Sequence, residues 1–113
     1  SMQFDESQPI YLQVVLQIKK EIVTGQKKNG EKLKSGRELA LEYHINPNTA
    51  ARVYQTLEAE GVAFTKRGLG TFVTEDAAVN VSLRKELAAD FIARFKKDMS
   101  EIGFTEEEMR TLI

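Results

Sequence analysis

Cysteine is absent from the 113 residues, and His44 is the single histidine. Without cysteine the chain can form neither a disulfide framework nor a thiolate metal site, and a lone histidine is a poor candidate for a metal ligand. The sequence also has no phosphate-binding glycine loop and no nucleophile placed with a base. We therefore expect no enzymatic activity, no catalytic residues, no bound metal and no cofactor.

Long apolar runs are absent as well. No segment is apolar over a length that would span a bilayer, and the chain does not begin with the charged start and apolar centre of a signal peptide. Apolar residues make up 42% of the chain and charged residues 29%, which is typical of a soluble globular protein. We expect a cytoplasmic protein with one compact domain and an appendage.

Excess charge of either sign is missing overall, because the net charge is −1, and this argues weakly against nucleic-acid binding. The distribution of charge argues the other way. Residues 19–37 contain seven Lys or Arg and two Glu, a net charge of +5, whereas residues 76–113 contain six Lys or Arg and eight Asp or Glu, a net charge of −2. A basic first half is typical of a surface that faces DNA, although a solvated lysine face would give the same pattern.

Two helices and a turn are predicted in the first 45 residues. Apolar residues four positions apart predict a first helix over residues 9–26. Ser35 and Glu38 have the spacing of a capping box, which predicts the start of a second helix. A tight turn at residues 44–45 would then separate the second helix from a third.

The third helix begins with almost no bulky side chains. Asn46 is suited to cap it and Pro47 to occupy its first position, where the N–H that proline lacks would be unpaired anyway. Asn48, Thr49, two alanines and Arg52 follow. Small residues allow a helix to approach a DNA major groove closely, and Asn, Thr and Arg side chains can reach base edges or phosphates. The pattern predicts a recognition helix.

A β-hairpin is predicted over residues 62–73. Its strands carry valine, phenylalanine and threonine, and its connection contains Lys66, Arg67 and two glycines. Beyond a linker over residues 74–80, an apolar stripe predicts a long helix over residues 81–102, and a second capping box predicts a short final helix.

The predicted fold is therefore mostly α with a small β-hairpin. Residues 9–74 would form a winged helix-turn-helix domain that binds DNA. Residues 81–113 would form a C-terminal two-helix segment that serves in dimerisation.

These motifs together resemble the GntR family of bacterial transcription regulators, and within it the short YtrA-like subfamily. After the first helix the family has a glycine and then Leu-Pro-Ser-x-Arg-Glu-Leu-Ala, and residues 30–40 read Gly-Glu-Lys-Leu-Lys-Ser-Gly-Arg-Glu-Leu-Ala. Residues 45–49 and 52–61 are similar to the YtrA-like form, and residues 67–73 match the wing pattern Gly-x-Gly-Thr-Phe-Val. Lys34 is a departure, because the family has proline at that position.

The resemblance implies a repressor that binds DNA through both helices of the helix-turn-helix and through the wing. The residues it assigns to DNA binding are Ser35, Arg37, Asn46, Asn48, Thr49, Arg52, Lys66, Arg67 and Gly70. Arg37 could instead form a surface ion pair with a neighbouring Glu, and Arg52 could lie on a solvated helix face. Asn48 and Thr49 could serve only to complete the cap, and the wing could be an ordinary charged hairpin tip.

The apolar stripe of the long helix has two interpretations. It could pack on the winged domain as core, or it could pair with the same stripe of a second copy. The resemblance favours a homodimer, since this region forms the dimer in the family, and the predicted contacts share one helix face: Leu83, Leu87, Phe91, Phe95 and Met99. A two-fold dimer would present two recognition helices to a palindromic operator.

Control of transporter genes is a further implication of the YtrA-like resemblance. The alternative function is a protein-interaction module that uses the winged helix as a scaffold. A small-molecule effector, if there is one, would bind at the dimer interface or in a small cleft, because the segment beyond the wing is too short for a separate effector domain.

Overall fold

The computed structural model describes residues 2–113 and contains five helices and one hairpin within that range. The elements are α1 (Ile10–Val23), α2 (Gly36–Tyr43), α3 (Pro47–Ala59), β1 (Ala63–Lys66), β2 (Gly70–Val73), α4 (Ala77–Glu101) and α5 (Glu106–Arg110). This order confirms the predicted fold class, a winged helix-turn-helix followed by two C-terminal helices. The chain divides into two compact units, the first ending at Val81 and the second comprising Ser82–Ile113.

The core of the first unit lies between α1 and α3. Val14, Ile18 and Ile22 are at most 2% exposed on one face of α1, and Val53 and Leu57 are fully buried on α3. The two helices pack against each other, and α2 packs on α3 as well. Because these residues recur every three or four positions, the apolar stripes seen in the sequence are the faces that meet in the core.

The predicted capping box fixes the start of α2. The Ser35 hydroxyl accepts the backbone N–H of Glu38 at 3.1 Å, and the Glu38 carboxylate accepts the backbone N–H of Ser35 at 2.9 Å. The bond from the Ser35 backbone, followed by the one from its side chain, lowers the pKa of Glu38 below its ordinary value of 4.5. A depressed carboxyl pKa means that this stabilisation is present above pH 4.5 and is lost as the pH falls through the folded value.

The turn between α2 and α3 depends on two residues with special backbone geometry. His44 has φ of 55°, in the left-handed region, and its backbone N–H donates to the carbonyl of Ala40, which ends α2. Asn46 then caps α3, since its side chain accepts the backbone N–H of Asn48 at 2.8 Å. Pro47 occupies the first helical position, as predicted.

The wing contains a second backbone pairing that the sequence pattern did not reveal. β1 and β2 form the antiparallel hairpin, with Phe64 opposite Phe72 and their rings stacked at 5.8 Å between centroids. Leu33 donates its backbone N–H to the carbonyl of Thr71 at 2.8 Å, and the N–H of Val73 donates to Glu31 at 2.9 Å. The segment between α1 and α2 is thus attached to β2 and places Leu33 in the core.

Two predicted boundaries are wrong by several residues. The first helix ends at Val23 rather than near residue 26, and Gly25 follows with φ of 81°. The long helix begins at Ala77, so residues 77–80 are helical rather than part of a linker. Asp76 explains this early start, because its carboxylate accepts the backbone N–H of Ala78 at 2.9 Å.

The second unit contains the predicted short helix. Thr105 and Glu108 form the reciprocal bonds of a capping box at the start of α5, as expected. Met109 of α5 is 3% exposed, and Leu83 and Leu87 of α4 are 3% and 8% exposed.

Gly70→Ala should destabilise the fold. Gly70 has φ of 124°, which side-chain-bearing residues rarely adopt, and an added Cβ would lie 2.9 Å from Cε of Lys32. The lysine side chain can move away, but the backbone strain remains, so we expect a loss of about 1–3 kcal/mol in the free energy of unfolding, measured by urea denaturation.

The matched control for this substitution is Gly36→Ala. Gly36 has no atom within 4 Å of an added Cβ, and its φ is not positive, so alanine there should be neutral or stabilising. Adding Lys32→Ala to Gly70→Ala should not restore stability. Full recovery would show that side-chain crowding, and not backbone conformation, requires glycine at this position.

Ser35→Ala should lower the free energy of unfolding by about 1 kcal/mol, because the N–H of Glu38 loses its acceptor at the exposed start of α2. Ser82→Ala, at an exposed position inside α4, is the matched control and should have little effect, since alanine is the better helix former there. Equal effects of the two substitutions in thermal denaturation would contradict a capping role for Ser35.

Candidate nucleic-acid interface

The outer face of α3 carries polar side chains that the core does not use. Asn48, Arg52 and Gln55 are exposed and lie at positions i, i+4 and i+7, so they share one face of the helix. Ala51 lies on the same side, and its small side chain does not project from that surface. The opposite face is buried, which leaves this one as the surface of α3 that can meet a ligand.

Asn46 and Thr49 occupy different environments at the start of α3. The side-chain oxygen of Asn46 accepts the backbone N–H of Asn48, so Asn46 caps α3 as predicted, and its amide group still offers N–H donors. Thr49 is half-buried, whereas Asn48 is exposed. Of these three side chains, Asn48 has the most direct access to a groove.

Arg52 makes one specific contact within the protein. Its guanidinium carbon lies over the ring of Tyr11, 3.9 Å from the centroid, while the side chain as a whole remains exposed. Arg52 thus lies on a solvated helix face, and on that face it also contacts the ring of Tyr11. No side chain of residues 2–113 accepts a hydrogen bond from the guanidinium, so its N–H groups remain available to a ligand.

The start of α2 presents a second set of donors. Ser35 and Arg37 are both exposed there. Within residues 2–113 Arg37 has no ion pair, so the alternative of a surface salt bridge is not seen at this residue. Lys34, which replaces the proline of the family pattern, pairs instead with Glu42 at 3.1 Å. The positive end of α2 and the Arg37 guanidinium together suit a phosphate.

The wing tip is exposed and basic. The Lys66 ammonium lies over the stacked rings of Phe64 and Phe72, at 5.6 and 5.0 Å from their centroids, and Arg67 is exposed beside it. Gly70 is half-buried, and its bare face lies next to the side chain of Lys32. Contacts within the protein therefore favour glycine at position 70, independently of any close approach of this backbone to DNA.

Gln55 and Lys32 are candidates that sequence reasoning missed. The signal for Gln55 was available, because it lies three residues after Arg52 and therefore on the same helix face. Lys32 could not be found in this way. It joins the wing only through the pairing of the loop after α1 with β2, which no local pattern indicates.

The two tyrosines of the helix-turn-helix have structural roles. Tyr54 is 7% exposed and donates its hydroxyl to the backbone carbonyl of Lys34, and burial raises its pKa strongly. Tyr43 is half-buried with its ring 6.5 Å from that of Phe4. Burial, followed by the charges of two nearby glutamates, raises the pKa of Tyr43 to about 12. Both hydroxyls are therefore neutral at physiological pH.

The predicted dimer stripe on α4 is unevenly exposed in the single chain. Leu83 and Leu87 are buried, Phe95 and Met99 are half-buried, and Phe91 is 49% exposed. A groove of about 400 Å³ lies between α4 and α5, and Phe91, Phe95 and Met109 are among the residues that line it. The stripe thus combines core positions with apolar surface that water still reaches.

Residues 2–113 contain no helix that is both long and apolar enough to cross a membrane. The same part of the chain contains no group of three or more His, Cys, Asp or Glu residues arranged to hold a metal ion.

One curated relative aligns with most of the chain, and a second aligns with a shorter part of it. The chain is 42% identical to the HTH-type transcriptional regulator YhcF of Bacillus subtilis over 95% of its own length and 88% of the relative's. It is 46% identical to the HTH-type transcriptional repressor YtrA of the same organism, over 63% of this chain and 55% of YtrA.

Two solved structures extend the comparison to three dimensions. A GntR family transcriptional regulator from Listeria monocytogenes superposes with a TM-score of 0.86 at 39% identity, covering 96% of each chain. The DNA-binding domain of AraR, solved in complex with operator ORX1, superposes with a TM-score of 0.58 at 25% identity, covering 66% of this chain and 90% of that one.

Residues 10–73 match the family described as bacterial regulatory proteins, gntR family, and this range contains the whole helix-turn-helix and the wing. The match covers more than half of the chain, and relatives such as YhcF extend the likeness over the C-terminal helices. The chain therefore belongs to the gntR family of transcription regulators, in its short YtrA-like type, and has the DNA-binding helix-turn-helix domain of that family.

Proposed function

We propose that the protein binds a palindromic operator as a homodimer and represses transcription from it, with α3 in the major groove and the wing at the adjacent minor groove. The observation that carries this proposal is the outer face of α3, where Asn48, Arg52 and Gln55 share one exposed surface. The resemblance to the YtrA-like type favours transporter genes as targets.

Base reading is proposed for Arg52, Asn48 and Gln55. Arginine binds guanine bidentately through O6 and N7, and Asn and Gln bind adenine in the corresponding way. The small Ala51 between them allows the helix to come close to the bases. The AraR domain, which has the same fold and was solved with an operator, supports a winged helix of this kind as a unit that binds DNA.

Phosphate binding is proposed for the remaining predicted residues. Ser35 and Arg37 at the start of α2 would hold one backbone strand, with Asn46 and Thr49 next to it at the start of α3. Lys66 and Arg67 would neutralise phosphates beside the minor groove, where Gly70 allows the backbone to approach. These contacts set register and orientation and carry no sequence information themselves.

Dimerisation through α4 is supported by its exposed apolar surface. Phe91 is 49% exposed and Ile92 is 55% exposed. These two large apolar side chains are adjacent in sequence on a helix surface that is in contact with water. With Phe95 and Met99, these residues give a second copy an apolar surface to cover. A two-fold dimer would place two copies of α3 on half-sites of one palindrome.

Arg52→Ala should weaken binding to a selected duplex by about 1–3 kcal/mol, or roughly 5- to 150-fold, and should relax specificity at one base pair. The duplex is obtained by selection from a random-sequence library with the full chain, and affinity is measured by fluorescence anisotropy. Arg37→Ala should weaken binding to selected and scrambled duplexes alike, and should reduce the slope of log affinity against log salt by about 1.

Arg94→Ala is the matched control, because it removes a guanidinium that is paired with Asp98 on exposed α4. It should leave both affinity and salt slope unchanged. If Arg52→Ala binds the selected duplex as well as Arg94→Ala does, α3 does not read bases through Arg52. If selection yields no preferred sequence and binding is insensitive to salt, the alternative of a protein-interaction module is favoured.

Phe91→Glu should weaken the dimer by more than about tenfold, because an unpaired carboxylate would be buried where an aromatic ring was. Ala89→Glu introduces the same charge two residues earlier, about 200° around the helix, and should leave the dimer intact. Analytical ultracentrifugation over a concentration series distinguishes the outcomes. A wild-type chain that stays monomeric, or equal effects of the two substitutions, would contradict dimerisation through this face.

A further inference from the structure

The contact between Arg52 and Tyr11 joins the predicted base-reading residue to α1. Tyr11 is the second residue of α1 and is half-buried, and its ring lies 3.9 Å from the guanidinium carbon of Arg52. An arginine over an aromatic face is attracted by the negative potential of the ring and stacks on it through its own planar face. Neither side chain of this pair belongs to the buried core between α1 and α3.

Both partners are attached to backbone that the core holds in place. Val14 and Val15 follow Tyr11 by three and four residues on α1 and are at most 3% exposed. Val53 directly follows Arg52 on α3 and is fully buried. Because α1 packs on α3, the distance between the two side chains is set by the core and does not depend on a flexible loop.

Stacking constrains the arginine without using its donors. A free arginine side chain samples many rotamers, and that freedom is lost when it binds a base. Contact with the Tyr11 ring limits the rotamers in advance, while the guanidinium N–H groups, which make no hydrogen bond within residues 2–113, remain available for O6 and N7 of guanine. Within residues 2–113, no acidic side chain forms an ion pair with Arg52 that would have to be broken.

We propose that Tyr11 is a positioning residue for DNA recognition: its ring holds the Arg52 guanidinium in a pose suited to a base edge before DNA arrives. This inference rests on the proposed function, in which Arg52 reads a base. Tyr11 acts through Arg52 and through the ring alone, so its hydroxyl is not required.

The test is a double-mutant cycle with the full chain and the duplex selected from a random library. Tyr11→Leu should weaken binding about two- to fivefold in the wild-type background and should have no effect in the Arg52→Ala background. Tyr11→Phe retains the ring and should bind as the wild type does. Tyr43→Leu removes another half-buried tyrosine and is the matched control, whose effect should be the same with and without Arg52.

A measurement without DNA checks the contact itself. In the free protein the NMR signals of the Arg52 side chain should show a ring-current shift that Tyr11→Phe retains and Tyr11→Leu abolishes. Circular dichroism and thermal denaturation verify that each variant is folded. Absence of the shift in the wild type would overturn the proposal directly.

The outcomes separate this proposal from the function on which it rests. If Arg52→Ala weakens binding but the effects of Tyr11→Leu and Arg52→Ala are additive, the positioning role is overturned and base reading by Arg52 stands. If Tyr11→Phe loses as much affinity as Tyr11→Leu, the hydroxyl itself contacts DNA and the positioning role is again wrong. If Arg52→Ala has no effect, base reading by Arg52 fails and the positioning role fails with it.

Discussion

The packing of α1 against α3 is the constraint on which the rest of the first unit depends. Ile18 and Ile22 of α1 and Val53 and Leu57 of α3 are at most 2% exposed, so neither helix can rotate about its axis without exposing apolar surface. Since an α-helix turns 100° per residue, burial of one α3 face directs the opposite face outward. The orientation of the candidate recognition surface is therefore a consequence of core packing.

A second constraint connects the wing to the same core. The pairing of residues 31–33 with β2 buries Leu33, which lies two residues before the Ser35 cap of α2. The position of the wing and the start of α2 are consequently set by one short stretch of backbone. The proposed phosphate contacts of α2 and of the wing are therefore held in place relative to each other, and glycine is required at position 70 by the backbone φ of 124°.

Sequence reasoning succeeded where the signal was local. The capping boxes at Ser35 and Thr105, the cap at Asn46 and the apolar periods of the helices each depend on residues within one or two turns, and each is present. It failed where partners are distant in sequence. The pairing of Leu33 with Thr71 and the contact of Arg52 with Tyr11 join residues that only the tertiary fold brings together. The early start of α4 is an exception, because the Asp76 cap that explains it is a local signal and was not predicted.

The net charge of a sequence segment does not show which of its charges are paired with residues elsewhere in the chain, and this affects how DNA would be bound. Several basic residues of 19–37 are paired with glutamates: Lys19 with Glu60 at 2.6 Å, Lys27 with Glu21 at 3.4 Å, and Lys34 with Glu42 at 3.1 Å. Two of these glutamates lie outside the basic segment, so the net charge of +5 overstates the positive potential that a phosphate would meet. Non-specific affinity grows with the number of phosphates neutralised. Where part of the positive charge is neutralised within the protein, well-placed individual contacts supply more of the affinity, and the orientation of each arginine gains a larger share in recognition.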